Sequence, residues 1–267
     1  PAQAMVEANK QLLSPPNEGG LGYQIFTIPN GEYLIGADGR INPHATLGHI
    51  FNYNGKEYMV TPDNWERLGF RHGARKQYDI SLTGGSDKMQ YYFSLGYLDN
   101  EGIAYNSDFN RITVRAKADY EALKWLRVGT NVNFSRTKYH SITSDDNGLF
   151  YQINNMAPIY PAFIRDGAGN IMTDENGPMY DYGDGSLIGY ARPILPNNNP
   201  LQENKLNTSS SKNNMYSFFG YADIMPIDGL KITLNGTLTS YDSRGTDATQ
   251  PFYGYSRTAY PTGFVSR

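Results

Sequence analysis

The chain has 267 residues, a formal net charge of −3, 18% charged residues and no Cys. The lack of Cys excludes disulfide scaffolds and thiolate zinc sites, and the lack of a basic excess argues against a nucleic-acid partner. No run approaches the ~18 apolar residues that a membrane-spanning helix needs, while 22 Tyr and 28 Gly suit an all-β protein with long polar loops.

In chain order, Ala2 to Leu13 predicts a short helix that stops at Ser14-Pro15-Pro16. Residues 17–73 read as irregular, with turn signals at Pro29-Asn30-Gly31, Ala37-Asp38-Gly39 and Tyr53-Asn54-Gly55. From Lys76 the pattern changes to alternation. Tyr78, Ile80 and Leu82 alternate with polar residues, then Met89, Tyr91, Phe93, Leu95 and Tyr97 do the same. Ile112, Val114, Ala116, Ala118 and Tyr120 form a third apolar row, and Leu126, Val128, Thr130, Val132 and Phe134 a fourth. Residues 215–224 (MYSFFGYADI) predict a strand whose faces the pattern does not assign. Leu230, Ile232, Leu234, Gly236 and Leu238 form the last row. No position on the five clear apolar faces is charged, so each strand has one dry and one wet face.

Strands of about ten residues exceed the ~5–6 of soluble proteins and match the 9–11 tilted residues that a bilayer requires. The connections alternate between short and long, as periplasmic turns and extracellular loops do in outer-membrane barrels. Tyr78, Tyr97, Tyr120 and Trp125 sit at strand ends, where aromatic girdles meet the membrane interface. The fold expected is therefore all-β, part of a large antiparallel transmembrane β-barrel. It would have about six strands here and long extracellular loops. Six strands leave two open edges, which lipid does not tolerate, so the chain is expected to be part of something larger.

The expected organisation is a loop region with a short helix at 1–73, four barrel strands at 74–139 and a long extracellular loop at 140–214. Two strands follow at 215–241, and a further loop starts at 242–267. A soluble carbohydrate-binding β-domain and a passive porin-like barrel stand as alternatives.

A set of short elements stands in a fixed order between Asn64 and Gly129. It comprises Asn64-Trp65, Gly69-Phe70-Arg71, the run Tyr78 to Gly85, the run Tyr91 to Tyr97 and Glu101-Gly102-Ile103. Asn106 to Arg111 and Lys124 to Gly129 complete it, with Met156 to Pro161 and Gly229-Leu230-Lys231 further on. This set resembles the SusC/RagA family of TonB-linked outer-membrane transporters. The resemblance implies a 22-stranded barrel with an internal plug, in the outer membrane of a Gram-negative bacterium and in contact with its lipid. It implies a SusD-like surface lipoprotein as lid, and coupling to the TonB complex through an N-terminal part that this sequence does not contain. Its cargo would be oligosaccharides or oligopeptides.

Signals for catalysis are poor. His44, His49, His72 and His140 lie far apart, and Gly183 to Gly189 only approximates a dinucleotide loop. Asp166 to Asn170 reads as a hairpin tip rather than a calcium loop, and Asp145-Asp146 as a solvated pair. No catalytic residue, metal or cofactor is expected. The ligand-binding candidates are Phe150, Tyr151, Tyr160 and Phe163 in the long loop, where rings beside amides suit cargo. Packing of the loop on itself is the competing reading. Arg111 and Arg115, in a row with Lys117, would face the lumen. That row can steer an anionic solute, pair with carboxylates or stay solvated.

Overall fold

The computed structural model describes residues 3–5, 24–142, 148–175, 177–251 and 262–266. Residues 3–5 of the expected helix are helical; the rest of that helix, and Asp145-Asp146, lie outside the described residues. The chain splits into two compact units. One takes Arg71–Ile142, Thr208–Ala248 and Val265–Arg267. The other takes Pro1–Phe70, Thr143–Asn207 and Thr249–Phe264.

The stretch expected to be irregular before residue 73 contains four short strands. β1 (Phe26–Thr27) pairs with β2 (Thr46–Leu47), and β3 (His49–Tyr53) with β4 (Lys56–Val60). The β3–β4 turn is Asn54-Gly55, with φ of 51° and 78°. A two-residue hairpin turn of this kind needs positive φ at both positions, and Asn-Gly meets that need most easily. Helix α1 (Trp65–Gly69) starts at Asn64, whose side chain accepts from the Arg67 N–H at 2.9 Å.

Next come the long strands β5 (Arg75–Gly85), β6 (Met89–Glu101), β7 (Asp108–Leu123) and β8 (Leu126–His140). Helix α2 (Leu149–Asn155), the two-residue strands β9 (Arg165–Asp166), β10 (Thr173–Asp174) and β11 (Gly177–Pro178), and helix α3 (Pro200–Leu206) fill the long connection. β12 (Thr208–Ile227), β13 (Leu230–Thr249) and the short β14 (Phe264–Ser266) follow. The large sheet has the order β14-β13-β12-β8-β7-β6-β5. β3, β4 and β9 form a separate three-stranded sheet.

The boundaries expected from sequence are corrected in two places. The long loop ends at Asn207 rather than 214, and a strand occupies 242–249 where a loop was expected. β12 and β13 are each 20 residues long. A backbone ladder needs N–H and C=O partners, not apolar side chains, so it continues through Thr- and Ser-rich ends where alternation fades.

The antiparallel registers align the apolar rows across the sheet. Ile80, Leu95, Val114, Phe134 and Tyr216 are successive cross-strand neighbours, as are Leu82, Phe93, Ala116, Val132, Phe218 and Leu238. Register also assigns the ambiguous strand: Tyr216, Phe218, Gly220, Ala222 and Ile224 join the apolar face, while Phe219, Tyr221 and Asp223 join the polar one. The apolar face is bare, with Ile80 67%, Leu234 60% and Leu238 72% exposed. Its nine-residue depth runs about 30 Å along a strand, or about 21–25 Å at a 35–45° tilt, close to the apolar band of a barrel.

In the other unit, the core is built from Ile25, Phe26, Leu34, Val60, Trp65, Ile153, Ile159, Tyr160 and Ile164, all buried. Asp63 and Arg165 form a two-point ion pair at 2.6 and 3.0 Å, and the Trp65 indole N–H donates to the Tyr160 carbonyl at 2.9 Å.

Candidate functional site

Arg111 and Arg115 both line one hollow of about 620 Å³ on the polar face of the large sheet. Asp79 and Ser81 of β5, Tyr92 of β6, Asn133 of β8, and Met215 and Ser217 of β12 also line it. β5 and β12 are four strand spacings apart, about 19 Å along a flat sheet. A hollow that touches both therefore requires a curved sheet, concave on its polar side. This is the geometry of a lumen wall.

The charges on this wall are unevenly satisfied. Lys117, expected in the same cationic row, lies 3.1 Å from Asp119, and Lys231 lies 2.8 Å from Asp223. Arg75 donates to Gln77 at 2.9 Å, and Gln77 donates to Asp79 at 2.7 Å, so Asp79 is tied to a cation through an amide. Neither Arg111 nor Arg115 makes an ion pair among the described residues. The Tyr221 ring lies over Gly129, where a Cβ would come 2.2 Å from the ring edge, and its hydroxyl donates to Asp119. A bulky residue on the wet face thus fills space that a glycine leaves.

The four aromatic candidates do not converge. Phe150 and Tyr151, on α2, are 41% and 45% exposed, and Phe150 stacks on Phe70 at 5.0 Å. Phe163 packs on Tyr180 at 5.1 Å. Tyr160 is 1% exposed, so in this structure its ring serves the core and offers no surface to cargo. Burial raises its phenol above the ordinary range, with the Arg192 guanidinium opposing. Arg192 lies 5.8 Å from the Trp65 ring and 6.0 Å from the Tyr160 ring, and donates to the Tyr182 carbonyl at 2.7 Å.

Sequence reasoning missed a second hollow of about 540 Å³ lined by Phe26, Pro62, Asp63, Trp65, Ile153 and Met156, among others. Its residues come from five separate stretches of the chain, and no spacing rule joins them. Sequence reasoning also missed the fastening of the 102–107 loop. The Arg71 guanidinium donates to the Gly102 carbonyl at 3.2 Å and lies 5.4 Å from the Tyr105 ring.

A curved antiparallel sheet with a bare apolar face and a polar hollow is the wall of a transmembrane β-barrel. No protein-family model matches the chain. TonB-dependent receptor P39 of Formosa agariphila is 26% identical over 158 residues, which is 59% of this chain and 13% of that protein. TonB-dependent receptor P26 of the same organism is 30% identical over 150 residues, 55% of this chain and 13% of that one. The chain thus spans well under a fifth of the curated relatives it matches. Among solved structures, the RagAB peptide transporter aligns with a TM-score of 0.55 and 26% identity, covering 73% of this chain and 21% of that one. The RagAB peptide importer in its closed-closed state aligns at 0.54 and 24%, covering 73% and 20%. The chain is thus similar to a stretch of SusC/RagA-type TonB-dependent transporters.

Proposed function

We propose that this chain supplies barrel wall and surface loops to a TonB-dependent outer-membrane importer of a Gram-negative bacterium. The observation that carries the reading is the bare apolar face, whose rows run in register from β5 to β13 opposite a polar hollow. A soluble β-domain would have to cover that face. The short turns at 86–88, 124–125 and 228–229 lie on the periplasmic side, and the connections 102–107 and 141–207 on the cell surface. Cargo is an oligosaccharide or an oligopeptide, and a SusD-like lipoprotein is the lid. The likeness to the RagAB peptide importer supports the peptide arm, and the exposed rings of Phe150 and Tyr151 suit either cargo. Arg111 and Arg115 favour solutes that carry negative charge, and no cofactor takes part.

The test is uptake by cells producing the full-length protein. Labelled oligopeptides and oligosaccharides are offered with the TonB system intact or deleted. Uptake of one class that disappears on TonB deletion supports the reading. Uptake that persists supports a passive pore instead, and extraction of the protein without detergent refutes the membrane assignment.

A further inference from the structure

Arg136, Lys138, Lys212 and Arg244 are scattered in sequence, and no motif links them. Register gathers them. Lys138 is the cross-strand partner of Lys212, and Lys212 that of Arg244, so three cations stand side by side across β8, β12 and β13. Arg136 is two residues down β8 on the same face. That face is the apolar one, because the row below Arg136 and its partner Asn214 is Phe134 and Tyr216, which are themselves partners. All four basic side chains are exposed. Arg136, Lys138 and Lys212 make no ion pair among the described residues, while Arg244 lies 3.7 Å from Asp242.

Like charges directly opposite one another destabilise a strand pair, and here two successive pairs carry them. The same row on β5 and β6 is balanced, since Lys76 faces Asp99. Among the six positions of these two rows on β8, β12 and β13, Asp242 is the single carboxylate against four cations, an imbalance that a bound anion offsets. Two strand spacings set the three-cation row across about 10 Å. That width suits a headgroup with two phosphates. Below the three-cation row lies the row Arg136, Asn214 and Asp242, then the Phe134–Tyr216 ring pair, with centroids 5.0 Å apart, and then the exposed row Val132, Phe218 and Leu238. A ligand at this place meets cations at one end and bare apolar surface below.

We propose that Arg136, Lys138, Lys212 and Arg244 form a docking site for a phosphorylated lipid of the outer leaflet. Its phosphates lie across the basic row and its acyl chains run down the apolar band. The inference rests on the barrel reading given above. Free phosphate shares the headgroup chemistry but gains nothing from the band, so the lipid is the occupant assigned.

The experiment uses the purified full-length protein in detergent and native mass spectrometry. The probes are bisphosphorylated lipid A, its dephosphorylated form, and inorganic phosphate. The wild type should retain the bisphosphorylated lipid and bind inorganic phosphate far more weakly. A K138Q/K212Q/R244Q variant should lose about two orders of magnitude in affinity, at roughly fivefold per basic side chain. A K76Q variant, in the same row but facing Asp99, should keep wild-type affinity. Equal retention by the triple variant, or equal retention of the dephosphorylated lipid, would overturn the proposal. Inorganic phosphate binding as tightly as the lipid would overturn the lipid as occupant. If the triple variant does not assemble, salt decides on the wild type. Raising NaCl from about 50 to about 500 mM must weaken retention of the phosphorylated lipid tenfold or more, because exposed charges are screened. A flat response refutes the site. Heat-modifiable gel mobility in the same samples separates the two readings. Its absence in the wild type means that the barrel reading has failed. Its presence with unaltered lipid retention in the triple variant means that the docking site has failed.

Discussion

Asn199 is fully buried, and it joins three segments of the loop unit. Its Nδ2 donates to the carbonyls of Ala162 and Asp181, both at 2.9 Å. Its Oδ1 accepts from Leu201 N–H at 3.2 Å and caps α3, with Pro200 at the first helical position. Asn199→Ala removes the cap, at about 1 kcal/mol. It also removes two buried hydrogen bonds, at about 1 kcal/mol each. The sum is about 3 kcal/mol, or about two decades in an opening equilibrium. Asn199→Ser keeps the cap acceptor and should cost about 2 kcal/mol, because the two donations are lost. Hydrogen exchange of the intact protein, read on peptides covering 159–165 and 179–206, measures both. A more than fiftyfold loss of protection for the Ala variant, with Ser between it and wild type, is the expected order. If the Ala variant exchanges within about threefold of wild type, Asn199 does not hold these segments together.

Three further outcomes can be checked. Val114→Arg, whose partners are Leu95 and Phe134, should cost about 2–4 kcal/mol of barrel stability near the midplane. Thr113→Arg, on the hollow side, should be nearly neutral, and assembled yield in outer-membrane fractions reads the contrast. Gly129→Ala should lower the temperature of the gel-mobility transition, with a strain of about 1–3 kcal/mol. That cost should shrink in a Tyr221→Ala background, because the ring makes the nearest contacts, while Asp119 Oδ1 still lies 2.8 Å from the added Cβ. Burial holds the His49 imidazole below its ordinary pKa, so the folded β3–β4 sheet disfavours its proton. The unfolded chain binds that proton more readily, so stability is complete above about pH 6.5 and falls as pH drops below it. Exchange protection of 49–60 should therefore weaken from pH 7.5 to 5, and His49→Gln should flatten the dependence.

The barrel wall was legible because lipid and water demand opposite side chains every second residue. Ile80, Leu95 and Val114 satisfy that demand without exception. The strand 215–224 was opaque because Phe219 and Tyr221 put bulk on the wet face, where Tyr221 fills the space above Gly129. Only the neighbours' register resolves such a case. Helices α2 and α3, of seven residues each, are too short for a 3.6-residue period to emerge. Asn199 looked like one more loop amide, and its role comes from partners 18 and 37 residues away. Tyr160 reads as a cargo contact because aromatic rings in a loop look alike in sequence, whether they face outward or lie at 1% exposure.

The Asp63–Arg165 clasp spans 102 positions of sequence, and the whole of β5 to β8 is strung between its two halves. The hairpins of that interval close over a few residues each and have little entropy to overcome, whereas the clasp must wait for them. Its formation therefore marks a late moment in the life of a nascent chain. The Trp65–Tyr160 hydrogen bond closes over a similar span of 95 positions, and a protease that meets the half-finished molecule finds these segments open.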